Sequence, residues 1–227
     1  MSVMLLAIVL IGFSRTLYLR PLFDVPDIPP YVYIHGAVLT AWFAWFVVQT
    51  SLVASYRTSI HRRLGMVGIG LGVSVEIAGF AAALGLAPRL RAKYGDIESD
   101  LSRISLVVWG NLAMMMVFAT FLIAALLLRR QPEKHKRLML LASISIIGPA
   151  VGRIGRLPLL DGVPDAMFSL IAMFSMLVAL MMFDFVSDRR IHAVSLAGSL
   201  YLIACIALGA GLIPNTEFGL AFIDSLK

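Results

Sequence analysis

Cysteine is nearly missing from this chain. Cys205 stands alone among 227 residues, so no internal disulfide can form and no CxxC pair exists for metal or redox chemistry. Charge is scarce as well: 14% of residues are charged, 60% are hydrophobic and the mean hydropathy is +0.92. A soluble core in a chain of this size cannot hide so much apolar surface, which excludes an ordinary water-soluble domain. No phosphate loop and no nucleophile elbow occurs. The final apolar run, 191–213, has no lysine to form a retinal Schiff base. No catalytic set and no metal-ligand cluster can be named from the sequence.

What the chain does have is a succession of long apolar runs. Seven spans fit, roughly 2–20, 32–55, 62–87, 104–128, 137–156, 165–186 and 191–213, each near the ~20 residues that a hydrocarbon core requires. The expected fold is an all-α polytopic membrane bundle of about seven transmembrane helices, forming a single transmembrane domain over 1–227. Val3 to Phe13 lacks a cationic leader and a small-residue cleavage site before Arg15, so it reads as a retained first span, not a signal peptide. Prolines punctuate the connections. Pro21, Pro26, Pro29 and Pro30 fill the first loop, and Pro88 is expected to end the third span. Pro132 marks the fourth connection, Pro158 and Pro164 bracket the loop before span six, and Pro214 stops span seven.

One unit is used twice. Ile34-His35-Gly36 opens an apolar run that closes at His61-Arg62-Arg63-Leu64-Gly65; Val108-Trp109-Gly110 opens another that closes at His135-Lys136-Arg137-Leu138. His35 and His61 are 26 residues apart, and so are Trp109 and His135. This predicts an internal two-helix repeat, with units at 32–87 and 104–156 and a C-terminal hairpin at 165–213.

The cations set an expected orientation. The turns at 56–63, 129–137 and 187–190 hold ten Lys/Arg against Glu133, Asp184 and Asp188. Because these cations crowd into short turns beside the spans, the turns and the N-terminus are expected in the cytoplasm and the C-terminus outside a bacterial inner membrane. The net charge of +6 is then explained by anionic lipid, and nucleic acid is not needed.

Two sets of residues are candidates for chemistry. His61, His135 and His192 sit at expected cytoplasmic helix starts, and His35 about a turn inside span two from the opposite face. A helix N-terminus disfavours added positive charge, so neutral imidazoles, the form that haem iron accepts, are expected there. With three histidines at one depth and one at the other, at most one bis-histidine site can be built. The competing reading is a helix-start residue beside lipid-anchoring cations. The second set lies within the membrane. Glu76 falls in mid-span, about 22 Å from the span's cytoplasmic end at 1.5 Å per residue, on a stripe with Gly65, Gly68, Gly72 and Gly79 that predicts close helix packing. Arg153 and Arg156, together with His35, Asn111 and Trp109, are expected in the same layer. They form either a structural Glu76–Arg153 pair or a proton-linked or ligand pocket. Consecutive methionines such as Met114, Met115 and Met116 point around a helix, so apolar packing is expected of them.

The chain resembles a broad group of uncharacterised bacterial multi-spanning membrane proteins. The residues that carry this are G-F-x-x-x-x-Y-L-R-P-L (Gly12 to Leu22), Ile34-His35-Gly36, Gln49, His61-Arg62-Arg63-Leu64-Gly65, His135-Lys136-Arg137-Leu138-Met139, and Pro149, Ala150 and Arg153. More distantly, helix hairpins with terminal histidines are similar to cytochrome b561-like membrane cytochromes, which implies b-type haem and transmembrane electron transfer. The functional expectations are therefore a haem-binding electron-transfer protein, an accessory subunit contacting lipids and other membrane chains, or a carrier using the Glu76–Arg153 layer.

Overall fold

Helix is the only regular structure among the described residues of the computed structural model, which are 1–23, 27–94, 98–156 and 165–226. Pro26, Pro158 and Pro164 lie outside them. The helices are α1 (Ser2–Phe13), α2 (Pro30–Ala54), α3 (Thr58–Leu84), α4 (Leu86–Tyr94), α5 (Glu98–Leu127), α6 (Pro132–Ser145), α7 (Gly148–Gly155), α8 (Asp165–Asp188), α9 (Ala193–Ile206) and α10 (Glu217–Asp224). Five helical stretches are long and apolar enough to cross a membrane: Pro30–Ala54, Thr58–Ala92, Leu101–Leu127, Met167–Asp188 and Ala193–Asn215. The pair α6 and α7, bent by 45° at a short break, makes a sixth if it counts as one span, and Ser2–Tyr18 is a shorter apolar helix. These helices are consistent with a multi-pass membrane protein.

Several boundaries differ from the sequence expectation for local reasons. Pro88 does not end α3. The helix stops at Leu84, a turn falls on Gly85, and Pro88 sits in the first turn of α4, where its missing N–H costs nothing. The break between α6 and α7 falls at Ile146-Ile147, just ahead of Gly148-Pro149, residue types that interrupt a helix. Past Ile206 the last span loosens into a wide turn over Ala207–Leu212, Pro214 follows, and then comes α10, which the sequence reading did not foresee.

The chain divides into two compact units, Met1–Ala78 with Ile146–Ile191 and Gly79–Ser145 with His192–Lys227. In the first, α1 and α2 form an antiparallel hairpin. Ser2 Oγ meets Thr50 Oγ1 at 2.9 Å near one end, and Leu17 packs over Gly36 near the other. Gly36, Leu39, Trp42, Phe43 and Phe46 make the buried stripe of α2. A Cβ at Gly12 would strike the Ala150 carbonyl of α7, so glycine is what lets these two helices approach. On α8, Met173, Met176, Leu177 and Leu180 are buried while Met167, Leu170, Ile171, Phe174 and Val178 are exposed. A helix apolar all round suits lipid on its outer side.

The second unit is built on α5. Ala83, Ala87, Ile104, Val108, Leu112 and Ile223 form its buried cluster, with Trp109 and Phe222 packed against it. Leu141 of α6 fills the space beside Gly198 of α9, and Met115 that beside Gly79. α10 is tied down by Arg91, whose Nη2 donates to Ile223 O at 3.1 Å and to Asp224 Oδ1 at 3.2 Å.

Candidate functional site

The three histidines expected at helix starts are found there: His61 is the fourth residue of α3, His135 the fourth of α6, and His192 the N-cap of α9. Their hydrogen bonds separate them. Gln49, one helix back on α2, lies between the Trp45 indole and His61. The indole N–H can only donate and the His61 carbonyl can only accept, which fixes the Gln49 amide. Its oxygen accepts from Trp45 Nε1 at 3.3 Å, and its nitrogen donates to His61 O at 3.2 Å and to His61 Nδ1. The His61 ring therefore accepts at Nδ1 and, when neutral, carries its proton on Nε2. His192 has the same tautomer, because its Nδ1 accepts from the Val194 N–H at 3.1 Å. His135 is the reverse. Its Nδ1 lies 2.8 Å from Ala125 O, an acceptor only, so Nδ1 donates and, when the ring is neutral, Nε2 carries the lone pair.

This decides how well the donor set suits haem. A histidine that ligates iron through Nε2 ordinarily donates its other N–H to a carbonyl or carboxylate. His135 meets that condition; His61 and His192 do not. Of the three, His135 alone has its Nδ1 placed against a carbonyl in this way. Among the described residues no group of three or more His, Cys, Asp or Glu is placed to hold a metal ion.

His35, Glu76, Arg153 and Arg156 all belong to the first unit. His35 lies in the second turn of α2. Arg153 is fixed: its Nη1 donates to Pro149 O at 2.7 Å and its guanidinium stands 4.7 Å from the Phe13 ring centroid. Both carboxylate oxygens of Glu76 are shielded and have no hydrogen-bond partner among the described residues, so Arg153 does not hydrogen-bond them. Along the glycine stripe, Gly68 faces the Trp45 indole and Gly79 meets Met115, but Gly65 faces open space. The stripe is a packing surface over part of its length only.

Trp109 and Asn111 belong to the second unit, where packing accounts for both. Trp109 lies 5.7 Å from the ring centroid of Phe218 and 4.9 Å from that of Phe222, and its Nε1 donates to Gly219 O at 3.2 Å. Asn111 Nδ2 donates to Val107 O one turn back on its own helix.

Sequence reasoning passed over two buried charges, Asp184, with no exposure, and Arg137, at 2%. Both were counted as loop charges. Arg137 instead folds back within α6, donating from Nη1 to Glu133 Oε2 at 2.6 Å and to Glu133 O at 2.9 Å. It also passed over a cavity at the end of α1 and α7, lined by Ile11, Gly12, Ser14, Arg15, Thr16, Arg153 and Arg156. No known protein family, curated protein or solved structure matches the chain.

Proposed function

We propose that the protein is a proton-linked carrier of the bacterial inner membrane, with Glu76 as the group that exchanges a proton. One observation carries this reading: the Glu76 carboxylate, in the middle of an apolar helix, is shielded and lacks a hydrogen-bond partner among the described residues. A carboxylate kept to fix helix registry does so through a partner, because burying it unsatisfied costs about 1–3 kcal/mol or more. A carboxylate held away from partners stabilises nothing, but it stays available to a proton or ligand entering the bundle. Arg153, held by Pro149 O and the Phe13 ring in the same unit, supplies fixed positive charge.

In this reading seven spans cross the membrane. They are the five long helices, the broken α6–α7 pair, and Ser2–Tyr18, with the N-terminus and the Arg-rich turns cytoplasmic and the C-terminus outside. The two-helix repeat belongs to the same proposal. Two features support it: His61 and His135 each stand three residues past their helix start, and each ring is tied to the preceding helix, through Gln49 and Ala125.

The test is a pH jump on proteoliposomes, read as transient current on a solid-supported membrane. Wild type and Glu76→Asp should give a current and Glu76→Gln none, at unchanged thermal midpoints. Equal currents in wild type and Glu76→Gln would remove the proposal. A loss seen only together with a lowered midpoint would assign Glu76 to packing and the chain to a scaffold role in a larger membrane complex.

A second reading rests on His135 alone, whose tautomer suits one axial bond to b-type haem. It requires a Soret band in protein purified from haem-replete cells, lost in His135→Asn.

A further inference from the structure

We infer that Gln49 and His61 form a proton-operated clasp on the α2–α3 hairpin, closed while the imidazole is neutral and opened when it takes a proton. Glu76 and its proton play no part in it. With the ring neutral, the Gln49 amide makes three bonds at once. Its oxygen accepts from Trp45 Nε1, and its nitrogen donates to His61 O and to His61 Nδ1. Each partner is of the sense the amide requires, and together they join α2 to the fourth residue of α3.

A proton added to this ring goes to Nδ1, since Nε2 already carries one. Both ring nitrogens are then donors, so turning the ring over offers the amide no acceptor. Nδ1–H and the Gln49 amide nitrogen stand donor against donor. Turning the amide instead gives Nδ1–H an oxygen, but it sets the amide nitrogen against the Trp45 N–H and the oxygen against the His61 carbonyl. One bond remains where there were three. Whatever Nε2 meets is unaffected, because Nε2 is a donor in both states. The nearby charges act in the same direction. Arg57, Arg62 and Arg63 are exposed around His61. α2, whose Trp45 indole faces Gly68 of α3, has no ionisable side chain between His35 and Tyr56. α1 begins at this end, with Ser2 on Thr50, and brings the Met1 ammonium. These groups are cationic, so an imidazolium adds repulsion where the clasp has come undone.

The plain alternative is that Gln49 only ties two helices, by bonds that acid leaves in place. His135 shows what such a tie requires. Its Nδ1 donates to Ala125 O, and a proton added at Nε2 leaves that donor as it was. The fourth residue of α6 is therefore indifferent to protonation, and the fourth residue of α3 is not. The difference lies in the partner: a backbone carbonyl accepts from either form of the ring, whereas the Gln49 nitrogen serves the neutral form alone.

Indole and imidazole NMR of the full chain in detergent tests the clasp, titrated from about pH 8 to about pH 5, a window around the ordinary imidazole pKa of ~6.5. Trp42, Trp45 and Trp109 give three indole signals, and Trp45→Phe identifies the one that matters. In the wild type the Trp45 N–H signal should shift toward that of an indole without an acceptor, in step with protonation of His61. The Trp109 signal, held by Gly219 O, should stay. His61→Asn removes the titrating ring and should hold the Trp45 signal fixed. Gln49→Glu presents acceptors to both the indole and the protonated ring, so the Trp45 signal should again stay while His61 takes its proton at higher pH than in the wild type. A wild-type Trp45 signal that does not move, whether or not His61 takes a proton, overturns the proposal. So does the wild-type movement in either variant. Should a variant fail to fold, the wild-type titration decides, with the His61 and Trp45 signals followed together.

Discussion

Replacing Trp109 by alanine should release α10 and little else. Two aromatic contacts, to Phe218 and Phe222, and one hydrogen bond, to Gly219 O, join the indole to α10. Large-to-small changes at tryptophan cost roughly 3–5 kcal/mol when the ring is fully buried; Trp109 is half-buried, so about 3 kcal/mol is the appropriate figure. Trp109→Phe keeps most of the packing and loses the N–H donor, about 1 kcal/mol. The two variants therefore weigh packing against hydrogen bonding at one position.

The assay is hydrogen exchange of the 217–224 amides in the detergent-solubilised protein. Taking 1.4 kcal/mol per factor of ten, α10 should exchange roughly a hundredfold faster in Trp109→Ala and roughly fivefold faster in Trp109→Phe. Amides of α2, in the other unit, should be unchanged. Unaltered α10 exchange in the alanine variant, or equal effects of both substitutions, would refute the assignment of Trp109 to packing.

Labelled-histidine NMR should find opposite neutral tautomers, with the proton on Nε2 in His61 and on Nδ1 in His135; a common tautomer would contradict the hydrogen bonding described. Gly12→Val drives a side chain against the Ala150 backbone, which cannot swing aside as a side chain can, so a loss of about 1–3 kcal/mol is expected. Gly65→Ala meets nothing within 4 Å and should leave the thermal midpoint unchanged. Both are read as midpoints in detergent, and equal behaviour of the two would count against the close α1–α7 approach.

Apolar run length made the long apolar helices legible, because it needs no knowledge of partners. The helix-start positions of His61, His135 and His192 were legible for a similar reason: they follow turn signals, and turns fix helix starts. Pairwise relations were not. The Glu76–Arg153 pair came from matching depths along two helices, which says nothing about which way either side chain points. Arg137 was misjudged because a cation beside a turn reads as a lipid anchor, whereas its side chain is buried and bonds to Glu133 one turn earlier. α10 left a faint mark in the sequence. Thr216 is an N-cap whose Oγ1 accepts from Gly219 N–H at 3.0 Å, and Glu217 follows in the first turn, a start signal that is easily lost behind Pro214. The arginine cavity had no sequence signature, since Arg15 and Arg153 are 138 positions apart and meet only because Gly12 admits α7.

The repeated imidazole can also be read as a hairpin latch, and one substitution separates that from iron ligation. α5 ends at Leu127, so the carbonyls of its last turn lack helical donors. Leu128 N–H takes Ala124 O and Arg129 N–H takes Leu126 O, and the His135 ring takes the Ala125 oxygen between them. A latch uses Nδ1 alone, whereas an iron ligand needs Nε2. Asparagine places an amide N–H close to where Nδ1 sits but offers nothing in place of Nε2. His135→Asn should therefore keep the wild-type midpoint within about 0.5 kcal/mol, the usual scale of a neutral change, while His135→Ala, which leaves that carbonyl without its donor, should lose about 1–3 kcal/mol. Differential scanning calorimetry of the three proteins in one detergent makes the comparison. If Asn destabilises as much as Ala, the ring's value lies in Nε2 or in its bulk, and the latch is wrong.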